Sequence, residues 1–368
     1  MTTAFINATI FTATGELTGK ALLIENEAIS GIIDATAIPT DAEIIDCAGK
    51  YILPGFIDLQ IYGAGGFLFS NNPTSEALHA MCNALAKVGT TGFLVTLATN
   101  SIEVFMEAIR VVKENPHPAL LGLHLEGPYL NPVKKGAHIE AFIKIAEKEE
   151  VQSLLDEAAG VIKMMTLAPE RTAAGIIRLL TDNGVVVSAG HSNATFGEAV
   201  NGFENGIQTA THLFNAMSSV HHRDTGLPGA TWLSQKACAS IIADGVHVDY
   251  PTLSISKKMM GERLFLITDA VEENLTGAYI HIKQADHRFT LPDGTLSGSN
   301  LTMLRAISNC VQHAKIPLPE AVRMASAYPA KLMGLTDKGK IEAGYKANLV
   351  IVNKELELAS VYLEGKMV

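Results

Sequence analysis

The middle of the chain repeats one pattern: a short apolar run, a polar loop, then a stretch with helical spacing. The runs are YILPGFIDLQ, TTGFLVTLAT, LLGLHLEGP, IKMMTLAPE, GVVVSAGHS, IQTATHLFNAM, ASIIADGVHV and RLFLITDA. Between several of them lie segments such as SEALHAMCNALAKVG, EEVQSLLDEAAG and RTAAGIIRLLTDNG, with apolar residues every three or four positions. That alternation predicts βαβ units and a parallel sheet. Eight such runs match a closed (β/α)8 barrel of the TIM type better than an open doubly wound sheet. No GxGxxG follows the first run, so a dinucleotide-binding fold has no support.

The two ends of the chain read differently. AFINATIFTATGE, KALLIENEAISGII and AEIIDCAGKYILP are strand-like runs parted by turn residues, and KGKIEAGYKANLVIVNKELELASVYLEGKMV alternates apolar and polar positions around glycines. Chain ends often lie close together. The expectation is therefore a small β-sandwich domain built from residues 1–53 and 341–368, with the barrel over 54–340. A carboxy-terminal hairpin packing on its own is the alternative.

Composition narrows the partners. A chain of 368 residues that is 48% hydrophobic can bury a large core. Its formal charge of −10 argues against nucleic acid or an anionic membrane surface as a general partner, so an anionic substrate would need positive charge gathered in one pocket. Cys47, Cys82, Cys238 and Cys310 form no CxxC pair and read as free thiols of a reducing compartment. The first residues carry no basic leader with a long apolar stretch, and no segment is apolar over about 18 residues. A soluble cytoplasmic protein is the expectation.

Titratable residues recur at the carboxyl ends of the runs: Glu126, His191, His212, His247 and Asp269. In a barrel these ends converge on one face, where active sites are built. A glutamate with two histidines and an open position is a catalytic zinc set, so Glu126, His191 and His212 are the metal candidates. A cation there would lower the pKa of a water from 15.7 to about 7. Asp269 would be the base that takes a proton and returns it to a leaving amine; the structural alternative is that it caps a helix starting at Ala270. His124 shares a barrel face with Glu126 one layer deeper, which suits packing or support of the site. His221 and His222 lie in a polar loop and stay outside the metal set.

Taken in order, PGFIDLQIYG, HLEGPYLNPVKKGAH, SAGHSNAT, THLFNAM, DGVHV, LITDA, SGSNLTM and KGKIEAGYKANLVIVN resemble the N-acetylglucosamine-6-phosphate deacetylases of the amidohydrolase superfamily, over nearly the whole chain. The resemblance implies a metal-dependent amidohydrolase that removes the acetyl group from a phosphorylated amino sugar. It agrees with the metal set and with Asp269. It further implies that His138 and His247 contact the sugar or the scissile carbonyl, that Asn215 and Ala216 hold the ligand, and that Arg223 binds phosphate. A guanidinium fork suits phosphate oxygens. In the family such a loop can reach a neighbouring subunit, which implies a homodimer.

One departure bears on metal count. Many amidohydrolases carry His-x-His after the first barrel strand; here Gln60 and Tyr62 stand in those places, and neither is a good ligand for a transition metal. One divalent ion per chain is expected, zinc first, with iron, manganese or cobalt also compatible, and Gln60 is placed to hold a water in the second position. Other readings are a deacetylase of the galacto epimer, a cyclic-amide hydrolase, or a catalytically silent barrel that only binds.

Overall fold

Gly55 divides the first apolar run between two sheets. A side chain there would come within 2.0 Å of Thr91 Oγ1, so only glycine lets the chain cross at this point. Before it, Tyr51–Pro54 pairs antiparallel with Leu349–Val352 near the carboxyl end. After it, Phe56–Ile61 (β1) enters the barrel. The run read as one strand is therefore two. These features belong to a computed structural model that describes residues 2–285 and 288–368.

The barrel strands after β1 are Thr90–Ala98 (β2), Leu120–Glu126 (β3), Ile162–Leu167 (β4), Val186–Ala189 (β5), Thr209–Ala210 (β6), Cys238–Ile242 (β7) and Leu264–Ile267 (β8). Each pairs parallel with its sequence neighbour. The last strand returns to the first just beyond β8. There the Asp269 N–H donates to the Gln60 carbonyl at 3.0 Å, and the Tyr62 N–H to the Ala270 carbonyl at 2.9 Å. The eight apolar runs thus become the eight strands of a (β/α)8 barrel.

The helices that follow these strands are Ser75–Lys87 (α1), Ile102–Glu114 (α2), Lys148–Ala158 (α3), Ala174–Asp182 (α4), Phe196–Glu204 (α5), Gly226–Leu233 (α6), Tyr250–Met260 (α7) and Met303–Gln312 (α8). Several begin where a side chain satisfies an open N–H: Thr74 caps α1, Ser101 caps α2, Thr195 and Glu198 form a reciprocal capping box on α5, and Asp249 caps α7. α2 buries Phe105, Ala108, Ile109, Val111 and Val112, the stripe that helical spacing places on one side.

The two chain ends build one core of their own, in which Phe5, Ile10, Leu22 and Ile52 pack with Leu349, Ile351 and Tyr362. One sheet runs through four amino-terminal strands, and a second six-stranded sheet joins both ends. The carboxy-terminal segment does not stand as an isolated hairpin, because Ile351 lies opposite Ile52. All four cysteines are free thiols. Among the described residues, no helix is long and apolar enough to cross a membrane.

Candidate active site

Strand order delivers the chemistry to one end of the barrel. Glu126 closes β3, His191 follows β5, His212 follows β6 and Asp269 follows β8. Three of these four leave their strands in left-handed backbone: φ is +46° at His191, +35° at His212 and +55° at Asp269. Such conformations are uncommon for non-glycine residues and cluster at functional sites, where surrounding structure holds them. No helix starts at Ala270, so Asp269 is not a helix cap; the next helix after β8 is α8.

His191 Nε2 and His212 Nε2 stand 3.2 Å apart, and they lie 3.4 and 3.0 Å from Glu126 Oε1. His191 Nδ1–H donates to the Lys134 carbonyl at 2.9 Å, which leaves Nε2 facing its two neighbours. His212 Nδ1 is buried without a partner. Burial also holds His212 below the usual imidazole range, against the pull of Glu126. Two imidazole nitrogens and a carboxylate oxygen within 4.8 Å of one another are a donor set that fits a divalent cation.

The Glu126 carboxylate is held from every side. His138 Nε2–H donates to Oε2 at 3.0 Å, and its tautomer is set because the Thr99 N–H donates to its Nδ1 at 3.2 Å. The Tyr62 hydroxyl donates to the same oxygen. Burial alone would raise the carboxyl, but His191 and His138 outweigh it and hold Glu126 well below the usual range. Burial pushes His138 down to about 4, so it is a neutral donor. The resemblance implied a sugar or carbonyl contact for His138; its residue lines the cavity, yet both ring nitrogens are engaged by protein groups.

Gln60 lies between the two carboxyls: its Nε2 donates to Glu126 Oε1 at 3.0 Å and to Asp269 Oδ1 at 2.9 Å, bridging them. Its Oε1 is buried and unpartnered. Burial and then the nearby Glu126 charge push Asp269 well above the ordinary carboxyl range, against the Gln60 hydrogen bond. Asp58, two residues before Gln60 on β1, is pushed up to about 7 by burial despite donors from Thr268 and Gln60.

His124 lies beneath Glu126 and is wholly buried. Its Nδ1–H donates to the Leu59 carbonyl at 2.9 Å, and burial holds it down to about 4. Nε2 of the neutral ring therefore accepts from Thr166 Oγ1 at 2.8 Å, and Thr166 in turn accepts from Thr211 at 2.7 Å. The chain runs through Thr211, the residue before His212, to Ser188 Oγ, so His124 supports the site from below and is not a ligand.

Above these groups opens a cavity of about 380 Å³, within the size range of small-molecule sites. Asn215, Ala216 and His247 line it, with Lys134 at the side. His247 Nδ1–H donates to Asp244 Oδ2 at 2.6 Å, which turns its Nε2 away from that partner. Asn215 Nδ2 donates to the His212 carbonyl at 3.2 Å. Arg223 is exposed on a turn with His221 and His222 and takes no part in the lining of this cavity. Sequence reasoning missed a wall formed by the segment after β8, where Tyr279, His281, Leu296 and Ser297 face the cavity. Its irregular strands lack the periodicity that marks an element.

Comparison with known proteins agrees with this architecture. The amidohydrolase family model matches residues 51–368. The N-acetylglucosamine-6-phosphate deacetylase of Haemophilus influenzae is 36% identical, with 99% of this chain and 98% of that protein covered. The crystal structure of N-acetylglucosamine-6-phosphate deacetylase from Pasteurella multocida superimposes with a TM-score of 0.95 at 37% identity, covering all of both chains. An N-acetylgalactosamine-6-phosphate deacetylase from a Shewanella species is 33% identical over 86% of this chain and 82% of that one. With its strand-end carboxylate and imidazoles gathered under one cavity, the chain belongs to the amidohydrolase family, hydrolases of carbon–nitrogen bonds.

Proposed function

We propose that this enzyme hydrolyses the acetamide of N-acetylglucosamine 6-phosphate to glucosamine 6-phosphate and acetate, in amino-sugar catabolism. The observation that carries the reading is the convergence of Glu126, His191 and His212 beneath the cavity, with Asp269 one amide away. The names of the relatives supply the substrate class. The same ligand set with its acid/base residue intact disfavours a silent barrel. The Shewanella relative keeps the galacto epimer as a second reading, and parallel assay of the two epimeric sugar phosphates separates them.

Glu126, His191 and His212 would hold one divalent ion per chain, zinc first and iron, manganese or cobalt next. When bound, that ion supplies Lewis-acid polarisation and a water of lowered pKa. Gln60 supports the count of one, since it fills the space between the carboxyls with N–H donors and offers no lone pair there. Asp269 takes a proton from water as the new C–O bond forms at the acetamide carbon. It returns that proton to nitrogen as the C–N bond breaks. His138 and Tyr62 keep Glu126 oriented. His247 and Asn215, with the backbone of Ala216, bind the sugar phosphate.

Arg223 binds the phosphate. Its exposure away from its own cavity supports delivery to a neighbouring copy's site and so a homodimer. Residues 1–53 with 341–368 form the small β-sandwich domain and 54–340 the catalytic barrel. Four free thiols fit the reducing cytoplasm.

The primary test is acetate release from N-acetylglucosamine 6-phosphate by purified protein, with bound metal quantified on the same sample. Turnover lost on chelation and regained with about one metal per chain is expected. A filled metal site without turnover would point to another amide, and two ions per active chain would overturn the count. Arg223→Ala is expected to raise KM for the phosphorylated sugar by about tenfold or more, with little change on unphosphorylated N-acetylglucosamine. Equal losses on both substrates would remove Arg223 from the phosphate.

A further inference from the structure

The wall over the cavity includes Val271, Tyr279, His281, Leu296, Ser297 and Gly298, and Ala270 pairs with Ser299 beside it. It is tied down at Tyr279. The Tyr279 hydroxyl donates to the Thr99 carbonyl, and its N–H donates to Asn71 Oδ1 at 2.8 Å. His281 is two residues on, and its backbone exchanges two hydrogen bonds with Asn274. The His281 ring lies parallel to that of Tyr279, with centroids 6.4 Å apart and planes 8° apart. His281 Nδ1 meets Ser297 Oγ at 2.7 Å. Both residues are buried and both line the cavity.

This arrangement fixes an imidazole whose remaining nitrogen has no protein partner. Among the described residues His281 Nε2 makes no hydrogen bond, and it is not one of the buried atoms sealed from solvent. Tyr279 spends its hydroxyl on Thr99 and Ser297 spends its own on His281, so Nε2 is the polar edge this wall leaves for a ligand. We propose that His281, oriented by Ser297, hydrogen-bonds a ring hydroxyl of the bound hexosamine and determines specificity at that carbon. The inference rests on the substrate proposed above. Burial lowers His281 to about 4, so the ring is neutral at working pH. A neutral nitrogen suits a hydroxyl, whereas a phosphate calls for charge. The acetamide belongs next to Glu126, His191, His212 and Asp269, which leaves ring hydroxyls to meet the wall that carries His281.

The test compares kcat/KM for N-acetylglucosamine 6-phosphate and its 3-deoxy and 4-deoxy analogues, in wild type and in His281→Phe. Wild type is expected to lose on the order of tenfold on one analogue. His281→Phe is expected to lose a similar factor on the parent sugar and nothing further on that analogue. Should the phenylalanine variant not fold, Ser297→Ala, which removes one hydroxyl, is expected to shrink the wild-type discrimination severalfold. Discrimination that persists undiminished in the variants would overturn the assignment, as would equal wild-type rates on all three sugars. No acetate from the parent sugar in wild type would overturn the substrate proposal and this inference with it.

Discussion

Asp269→Asn is expected to slow acetate release by about 10²–10⁴-fold while leaving bound metal near the wild-type level. Asparagine is nearly isosteric, and its Oδ1 can still accept from Gln60 Nε2, which lies 2.9 Å from the aspartate oxygen. What it cannot do is take up a proton and give it back. The loss should therefore fall on kcat, with KM little changed. A structural role for Asp269 predicts something else, a loss of stability, and the surroundings argue against one. Glu126, Asp58 and Asp244 all push its pKa upward, as burial does. A carboxyl that binds its proton more tightly in the folded than in the unfolded state makes stability fall as pH rises from its unfolded value, about 3.9, through its folded value. Asparagine removes that titration, so the chelated variant should melt no lower than chelated wild type at neutral pH, and the gap should close in acid. Near-normal turnover, or a melting temperature well below wild type, would remove Asp269 from the proton path.

Much of the barrel was legible because its strands are short apolar runs with polar ends, and those ends carry Glu126, His191, His212 and Asp269. Parallel strands force such ends onto one rim, so separation in sequence ceases to matter and the structure gathers three of them within 4.8 Å. What periodicity could not reveal was local geometry. Gly55 breaks one apolar run into two strands because Thr91 leaves no room for a side chain, a contact between residues 36 positions apart. His138 is drawn to Glu126 because the Thr99 N–H fixes which ring nitrogen carries the proton. Gln60 reads from sequence as a lost ligand, whereas in space its amide bridges two buried carboxyls. His281 lies in a segment without regular alternation, and its position depends on the anchored Tyr279 two residues before it and on Ser297 at Nδ1.

Glu126→Gln separates metal binding from proton transfer. The glutamate is the one anionic member of the donor set, and five groups keep it in place: His191, His212 and Gln60 beside one oxygen, His138 and Tyr62 on the other. Glutamine keeps the shape and removes the charge. It also brings an NH2 group toward neighbours that already donate, Gln60 Nε2 on one side and His138 Nε2 on the other. A buried donor left unpaired costs about 1–3 kcal/mol, so the variant is expected to melt lower than wild type even without metal. Changes to groups that merely orient ligands cost about 10–100-fold in metal affinity, and loss of a ligand's charge should exceed that. After dialysis the variant is expected to carry less than about a tenth of a metal per chain, with turnover reduced in proportion. Excess metal should then restore part of its activity, while Asp269→Asn, already loaded, should gain nothing. A Glu126→Gln protein that keeps one tightly held ion and normal turnover would mean that the ion sits elsewhere in the cavity.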